Sequence, residues 1–338
     1  MKAVVVKKPH ELSLMDLPVP EPPKGFARIK VCAAAICATD LEIIEGNIAA
    51  NYPITPGHEW SGVVDAVGSE EDSAWVGKNV IGSSDVVCLS CEACRSGNWR
   101  YCESFEEIGF KRNGAYAEYM LAPVYGLIEK PDSVPFAEAT LCEPLGVALG
   151  TLHKMHAKAG QTALIYGAGS IGLCMLAAAK TIGLRKIVVA ARSSKGFAVA
   201  DTLGAYKTVA TSEVNLEEEI KRLHPEGTDL VIDTTGAESC MQEALRILKR
   251  GGKLGLAGYG KGKVMSIRMD DIHIKNLKVI GAGNNWDMHR RALALMEEGA
   301  VDLSACVTEK IRLEDYATGL EHAKTRPQGF VKAVFINE

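Results

Sequence analysis

The first 150 residues contain short apolar runs separated by glycine and proline, and this pattern predicts a β-rich domain. Valine, isoleucine and alanine dominate these runs, and each run is too short for a helix of ordinary length. The four predicted strands are Lys2–Val6, Ala27–Ala33, Trp60–Val67 and Asn79–Gly82. Their spacing favours a barrel-like or irregular β-domain.

From about Thr151 to Asn284 the pattern changes to an alternation of strand and helix. The predicted strands are Ala163–Tyr166, Ile187–Ala191, Lys207–Ala210, Asp229–Asp233, Lys253–Ala257 and Lys278–Ala282. The predicted helices are Ile171–Ile182, Phe197–Leu203, Leu216–Leu223 and Ser239–Leu248. Six strands with intervening helices predict a doubly wound parallel sheet.

The last segment begins with a predicted helix, Met288–Glu298, and ends with a predicted strand, Lys332–Ile336. We expect this strand to rejoin the first domain. The sequence therefore predicts an α/β protein of two domains. Residues 1–147 and 285–338 form the β-rich domain, and residues 148–284 form the parallel-sheet domain.

Charge and hydropathy exclude several classes of protein. The 338 residues include 38 Lys and Arg against 42 Asp and Glu, and a net charge of −4 favours neither nucleic acid nor an anionic membrane as partner. No apolar run reaches the ~18–20 residues of a membrane helix. The N-terminus has too few apolar residues before Lys7 and Lys8 for a secretory signal. We therefore expect a cytoplasmic protein.

A glycine-rich loop follows the first strand of the alternating region and opens the next helix. Its sequence, Gly167-Ala168-Gly169-Ser170-Ile171-Gly172, matches the G-x-G-x-x-G pattern of dinucleotide-binding loops. Glycines allow the backbone to approach a pyrophosphate at the helix N-terminus. The loop lacks the Gly-Lys-Ser/Thr ending of an ATP-binding loop. We predict that Gly167, Gly169, Ser170, Ile171 and Gly172 bind a dinucleotide.

The end of the second strand of this region predicts which nicotinamide cofactor binds. NAD-binding proteins usually place an acidic residue there for the ribose 2′-hydroxyl, but this chain has Ala191 followed by Arg192, Ser193, Ser194 and Lys195. A small residue, a planar cation and further donors suit a 2′-phosphate. We predict binding of NADP(H) in preference to NAD(H). The alternative is an exposed basic turn that tolerates either cofactor.

Four of the ten cysteines fall within fifteen residues, in the pattern Cys88-x2-Cys91-x2-Cys94-x7-Cys102. This close spacing is typical of a structural zinc site that consists of four thiolates. The surrounding segment has few large apolar residues and cannot form a hydrophobic core of its own. A bound metal would stabilise it instead. An iron–sulfur cluster is the competing interpretation.

Three further motifs offer ligands to a second metal, namely Ile36–Asp40, Pro56–Glu59 and Cys142–Pro144. One cysteine, one histidine and one glutamate, completed by water, would form an open catalytic zinc site. Each residue also has a purely structural explanation. Cys37 suits a core, His58 a turn, and Glu143 a solvated surface.

In combination, these motifs resemble the zinc-dependent medium-chain alcohol dehydrogenases, in the branch of the sorbitol and threonine dehydrogenases. The resemblance extends from end to end of the chain. It implies a GroES-like catalytic domain and a Rossmann domain. It also implies two zinc ions per chain, with Cys37 and His58 as ligands of the catalytic zinc. Glu143 matches the ligand position of polyol dehydrogenases, and Glu59 coordinates directly or through water.

Other functional residues follow from the same resemblance. Asp40 is expected to orient the His58 ring, and Thr39 to accept the substrate proton. Glu42 replaces the histidine that many members use to pass the proton on. Lys332 is expected at the cofactor pyrophosphate, and Asn284, which follows the last strand of the sheet, beside the nicotinamide.

The substrate that the resemblance implies is a secondary alcohol or ketone, such as a polyol, a sugar alcohol or a cyclitol. Two segments, Tyr52–Gly62 and Gly109–Gly114, are most similar to cyclitol and aminocyclitol dehydrogenases. Carboxylates at Glu59, Glu143 and Glu42 favour a neutral or amine-bearing substrate over an anionic one. We also expect a homodimer or homotetramer that pairs through the strand Lys278–Ala282.

Two other functions stay open on the sequence. A zinc-independent quinone or enoyl reductase of the same superfamily would be expected to lack the set Cys37, His58 and Glu143. A non-enzymatic NADP-binding protein that kept the fold would not need an intact metal set.

Overall fold

The computed structural model describes residues 1–283 and 286–337. Two compact units divide the chain. The first unit comprises Met1–Glu143, Asn285–Glu297 and Val307–Glu338, and the second comprises Pro144–Asn284 and Glu298–Cys306. Among the described residues, no helix is both long and apolar enough to cross a bilayer.

The N-terminal part of the chain is rich in strands, as its pattern predicts. The strands are β1 (Lys2–Lys8), β2 (Glu11–Asp16), β3 (Phe26–Ala35), β4 (Glu59–Val67), β5 (Asn79–Gly82), β6 (Asp85–Val86), β7 (Glu106–Glu107), β8 (Tyr119–Pro123) and β9 (Leu127–Glu129). The helices are α1 (Ala38–Ile44), α2 (Glu92–Arg95), α3 (Phe136–Ala139) and α4 (Cys142–Lys154). The boundary between the two units falls inside α4.

The second unit alternates strands and helices. Its strands are β10 (Thr162–Tyr166), β11 (Arg185–Ala191), β12 (Lys207–Ala210), β13 (Thr228–Asp233), β14 (Leu248–Leu256) and β15 (Lys278–Gly281). Its helices are α5 (Ser170–Ile182), α6 (Phe197–Thr202), α7 (Leu216–Leu223), α8 (Glu238–Ile247) and α9 (Met269–Lys275). The C-terminal part of the chain adds α10 (Trp286–Glu297), β16 (Val307–Arg312), α11 (Tyr316–Thr325) and β17 (Lys332–Ile336).

The strands of the second unit form one parallel sheet in the order β12-β11-β10-β13-β14-β15. This is the doubly wound order of dinucleotide-binding domains, and the direction of winding reverses between β10 and β13. The central strands are buried along nearly their whole length, because helices cover both faces of such a sheet. The α/β fold predicted from the sequence is confirmed, with the parallel sheet in the predicted region.

The first unit consists mainly of a seven-stranded sheet. Its strand order is β16-β17-β3-β4-β5-β9, and β8 also pairs with β3. The predicted C-terminal strand, β17, pairs antiparallel with β3, so the end of the chain does rejoin the N-terminal domain. The hydrophobic core packed against this sheet includes the buried side chains of Ile29, Tyr116 and Phe335.

The assignment of residues 285–338 to one domain differs from the structure in one segment. Residues 298–306 belong to the second unit. The reason is local packing, because the short helical turn Ser304–Cys306 contacts α6 of that unit.

Candidate active site

Three predicted metal ligands meet in the first unit. The ligand atoms of Cys37, His58 and Glu59 all lie within 4.8 Å of one another. Cys37 comes two residues after the end of β3 and caps the N-terminus of α1, while Glu59 begins β4 beside its register partner Ala35 at the end of β3. The sheet register therefore brings together residues that are about twenty positions apart in the sequence.

The carboxylate of Asp40 lies beside the imidazole of His58. Its Oδ1 lies 3.3 Å from His58 Nδ1, and its Oδ2 accepts from the backbone N–H of Cys37 at 2.9 Å. With Nδ1 turned to Asp40, Nε2 is the nitrogen that can face a metal. Burial alone would lower the pKa of His58, but Asp40 and Cys37 raise it well above its usual value.

Tyr116 completes this network, although the sequence does not single it out. Its hydroxyl donates to Asp40 Oδ2 at 2.5 Å, and its ring packs edge-on against Phe335. Gly57, the residue before His58, has a φ of +100°, and a Cβ there would lie 2.5 Å from the Tyr116 ring. Only glycine fits this close approach, so the residue before His58 packs directly against the buried tyrosine.

Lys332 contacts Glu59, a partner that the sequence does not indicate. Its ammonium lies 2.7 Å from Glu59 Oε2 and donates to the carbonyl of Ile36 at 3.2 Å. Lys332 is only 3% exposed and Glu59 is fully buried. Within the first unit the lysine therefore neutralises Glu59. Binding of the cofactor pyrophosphate by Lys332 stays a prediction.

Glu143 lies near the metal ligands but outside the group that they form. Among the described residues, that group comprises Cys37, His58 and Glu59. Burial raises the pKa of Glu143 to about 7, and the negative charges of Glu59 and Glu107 add to the effect. Coordination by Glu143 would require its carboxylate to move toward the cluster.

The two predicted relay residues lie on α1. The thiol of Cys37 lies 3.5 Å from the hydroxyl of Thr39, so Thr39 borders the metal cluster. The carboxylate of Glu42 accepts from the side-chain amide of Asn47 at 2.8 Å. Thr39 is therefore at the site, while the described contact of Glu42 is directed toward the loop that follows α1.

The four clustered cysteines form a second potential metal site. The sulfur atoms of Cys88, Cys91, Cys94 and Cys102 lie within 4.8 Å of one another. Backbone N–H groups donate to them, from Cys91 to Cys88 Sγ at 3.3 Å and from Cys88 to Cys102 Sγ at 3.4 Å. Hydrogen bonds from Ser90 and from the backbone lower the pKa of Cys88 to about 5, which favours the thiolate that zinc binds.

The glycine loop lies in the second unit, at the carboxyl end of β10. It therefore lies where the sheet changes winding direction, the usual position of a dinucleotide pyrophosphate. Gly167 has a φ of +108°, and a Cβ there would lie 2.3 Å from Thr234 Oγ1. α5 begins at Ser170, so its free N–H groups point toward the loop.

The turn predicted to select the cofactor follows β11. Arg192 and Ser193 are exposed at this end of the sheet, and Lys195 is half-buried in the short helical turn that follows. Gly196 ends this turn, and a Cβ there would lie 2.1 Å from the carbonyl oxygen of Ala168. The close approach holds Ala191 and Arg192 next to the glycine loop. Asn284, predicted beside the nicotinamide, lies outside the described residues.

Both cysteine-containing groups fit zinc. A thiolate, an imidazole and a carboxylate are the ligand types of open zinc sites, and four thiolates are those of closed ones. His58 also has the carboxylate contact that commonly orients a zinc-bound histidine.

Comparison with known proteins agrees with this geometry. The family profile of the alcohol dehydrogenase GroES-like domain matches residues 23–132, and that of the zinc-binding dehydrogenases matches residues 170–298. An L-threonine 3-dehydrogenase of Chelativorans sp. is 31% identical over 338 residues, with 98% of each chain covered. The chain belongs to the zinc-binding alcohol dehydrogenases. The family predicted from the motifs is thus confirmed.

Other members of the family have a similar sequence identity to this chain. The sorbitol dehydrogenase of Bacillus subtilis is 30% identical over 329 residues, covering 96% of this chain and 93% of that protein. A structure from Sinorhizobium meliloti, classed as a zinc-binding dehydrogenase and bound to NADP, has a TM-score of 0.93. It is 30% identical to this zinc-binding dehydrogenase and covers 99% of each chain.

Tertiary contacts add three residues of this zinc-binding dehydrogenase that the motifs do not reveal. Tyr116 lies 76 positions from Asp40 in the sequence, and Glu107 and Gly196 belong to no motif that we recognise. Of the three, only Tyr116 has a signal in the sequence. It lies in the run Gly114–Tyr119, and a tyrosine hydroxyl that is buried needs a hydrogen-bond partner.

Proposed function

We propose that this zinc-binding dehydrogenase transfers a hydride between NADP(H) and the carbinol carbon of a polyol, a sugar alcohol or a cyclitol. The observation that carries the proposal is the convergence of Cys37, His58 and Glu59 in the first unit. A structural protein that kept only the fold has no need for this set.

In this proposal, residues of the first unit bind the metal, accept the proton and orient a metal ligand. Cys37 and His58 would hold a catalytic zinc, with Glu59 or Glu143 as third ligand. Zinc supplies a Lewis acid that stabilises the alkoxide of a bound alcohol. Thr39 accepts the hydroxyl proton of the alcohol. Asp40, whose Oδ1 lies 3.3 Å from His58 Nδ1, would accept a hydrogen bond from Nδ1 and leave Nε2 for the metal.

The second unit supplies the cofactor site in this proposal. The glycine loop and the N-terminus of α5 receive the pyrophosphate. Arg192 and Ser193, with the small residue Ala191, accommodate the 2′-phosphate of NADP. The proposal is supported by the exposure of Arg192 at the carboxyl end of β11 and by the NADP-bound relative.

The four clustered cysteines would hold a second zinc with a structural role. They offer no ligand position for a substrate, because a tetrahedral shell of four thiolates is complete. With the catalytic ion, this gives two zinc ions per chain.

Charge limits the substrate class. Glu59, Glu107 and Glu143 lie at or near the metal cluster, so a phosphate or carboxylate close to the reacting carbon would be repelled. A neutral or cationic alcohol fits better.

We also propose that the protein forms a homodimer or homotetramer whose subunits pair through β15. This strand is at the edge of the parallel sheet, and an unpaired edge can pair with its symmetry mate. Large apolar side chains are exposed on the segment from Tyr259 to Val279 around it. The cytoplasmic location stays a prediction.

An absorbance assay of NADPH formation tests the proposed function. NADP and NAD are each combined with polyols, cyclitols, aminocyclitols and simple secondary alcohols, with and without added zinc. We expect zinc-dependent turnover with NADP and one substrate group. Turnover that is insensitive to removal of the catalytic zinc would instead indicate a zinc-independent reductase. Cofactor binding with no turnover by any alcohol would favour a non-enzymatic protein.

A further inference from the structure

The segment that follows the cysteine cluster brings an additional carboxylate, Glu107, to the metal site. Its strand β7 pairs with β6, so that Glu107 lies opposite Asp85. The next residues pack against the ligand loop. A Cβ on Gly109 would lie 3.1 Å from the backbone nitrogen of Gly57, and the ring of Phe110 lies 5.3 Å from that of His58.

Glu107 is close enough to the cluster to act on its members. Its negative charge interacts with the imidazole of His58 and with the carboxylate of Glu143. The side chain is nevertheless 24% exposed, whereas that of Glu59 is 1% exposed. Glu107 is therefore a carboxylate beside the metal site that a small molecule can reach.

The positive charges in this neighbourhood have nearer partners than Glu107. The ammonium of Lys332 lies 2.7 Å from Glu59. The guanidinium of Arg100 lies 2.9 Å from Asp85 but 4.0 Å from Glu107. The hydroxyl of Ser84 is 3.5 Å from the Glu107 carboxylate. Glu107 thus shares Arg100 with Asp85 and interacts with the imidazole of His58, but no ion pair shorter than 4.0 Å is among its described contacts.

A further metal ion does not account for Glu107. Among the described residues, two groups of side chains could hold a metal, and Glu107 belongs to neither. A hydroxyl can be bound by many neutral groups, but a half-buried carboxylate that lacks a close ion pair is best matched by a cation.

We propose that Glu107 binds an ammonium group on the substrate and makes this dehydrogenase specific for amino alcohols, such as an aminocyclitol. This inference rests on the proposed function, since it names the substrate class of the same site. Glu107 would make a charge-assisted hydrogen bond to the ammonium group while the neighbouring hydroxyl faces the metal position. A hydrogen bond to a charged group contributes about 1.5–3 kcal/mol, which corresponds to ~10–100-fold in kcat/KM.

A matched pair of substrates tests the proposal. trans-2-Aminocyclohexanol and trans-1,2-cyclohexanediol share one skeleton and differ in one ammonium group. The zinc-loaded enzyme is assayed with each, and binding of each is measured by calorimetry. We expect the amino alcohol to bind at least about tenfold more tightly and to have the larger kcat/KM.

Three variants isolate the carboxylate. Glu107→Gln should remove the preference for the amino alcohol, so that the ratio of its kcat/KM to that of the diol falls at least about tenfold. Glu107→Asp keeps the charge and should retain a preference. Glu106→Gln alters the adjacent residue, which pairs with Arg112 at 2.5 Å. This variant should change neither the binding nor the kcat/KM of either substrate.

The outcomes separate the two proposals. Equal binding of the two ligands by the wild-type enzyme, or an unchanged preference in Glu107→Gln, would overturn the role of Glu107. Absence of turnover with every alcohol, while the amino alcohol still binds through Glu107, would overturn the proposed oxidation but not the ammonium site. Zinc content is measured for each variant, so that a lost metal is not mistaken for a lost specificity.

Discussion

The hydroxyl of Tyr116 donates to Oδ2 of Asp40 at 2.5 Å, and both side chains are fully buried. Oδ1 of the same carboxylate faces His58 Nδ1. The tyrosine therefore orients the carboxylate that lies against the histidine, without being one of the metal-binding side chains itself. Such outer partners of a metal ligand commonly affect metal affinity as strongly as some ligands do.

Tyr116→Phe should weaken zinc binding at the catalytic site. Without the hydroxyl, Asp40 loses one of its donors and constrains the imidazole less, so we expect an affinity loss of about tenfold. Competition with a chelator measures the affinity. The zinc held by the four cysteines should not change.

The control for this variant is Tyr166→Phe in the second unit. It removes another buried tyrosine hydroxyl, which donates to Glu243 at 2.9 Å. A similar loss of catalytic zinc in both variants would show that the effect is general destabilisation.

Lys332→Met should destabilise the protein strongly. It leaves the carboxylate of Glu59 buried without its cation, and breaking a buried ion pair from one side costs about 3–5 kcal/mol. The double variant with Glu59→Gln should regain part of this loss, because no uncompensated charge remains. Denaturant unfolding of the zinc-loaded protein measures both.

A more exposed ion pair, Lys78 with Glu129, provides the control for Lys332→Met. Lys78 lies 2.7 Å from Glu129, and the two side chains are 39% and 60% exposed. Lys78→Met should cost less than about 1 kcal/mol. Equal effects of the two lysine variants would contradict the account of a buried pair.

His289 should make stability sensitive to acid. Burial lowers the pKa of His289 to about 4, and Arg100 adds to the effect. Since the unfolded chain binds a proton near pH 6.5 and the folded chain only near pH 4, this contribution to stability is constant above pH 6.5. It falls as the pH drops from 6.5 to 4.

The comparison with His289→Leu isolates this contribution. Between pH 7.5 and pH 5 the free energy of unfolding of the wild type should fall by about 2 kcal/mol more than that of the variant. His273→Gln, at an exposed position of α9, should behave like the wild type. Parallel pH profiles for wild type and His289→Leu would contradict the prediction.

Arg192→Ala should reduce the use of NADP selectively. Loss of a cation at the 2′-phosphate should lower kcat/KM for NADP by about 10–100-fold and change that for NAD by less than about threefold. Arg250→Ala removes another exposed arginine, in the amino-terminal half of β14, and should affect neither cofactor. Equal losses with NADP and NAD would mean that Arg192 does not contact the 2′-phosphate.

Much of the fold follows from local patterns in the sequence. The strands Asn79–Gly82, Lys207–Ala210 and Lys332–Ile336 have the predicted bounds, because each is a short apolar run with clear boundaries. The glycine loop lies at the predicted position, between β10 and α5, because its glycine spacing is also a local pattern. Helix α4 is not predicted, because its apolar residues adjoin glycine and proline.

The finer arrangement of the site could not be predicted, because it depends on contacts between distant residues. The pairing of β17 with β3 brings Lys332 to Glu59, and no local pattern indicates that contact. Glu107 is an ordinary surface residue by sequence, and only the packing of Gly109 on Gly57 brings it to the cluster. The family resemblance supplies ligand types but not these partners.

The most direct test of the account is the zinc content and activity of Cys37→Ser, measured together on the same preparation. The wild-type chain should hold two zinc ions and oxidise its alcohol with NADP. The variant should keep only the zinc of the four clustered cysteines and lose turnover. Full activity in a variant that holds one zinc ion would contradict the claim that Cys37 and His58 hold the catalytic metal.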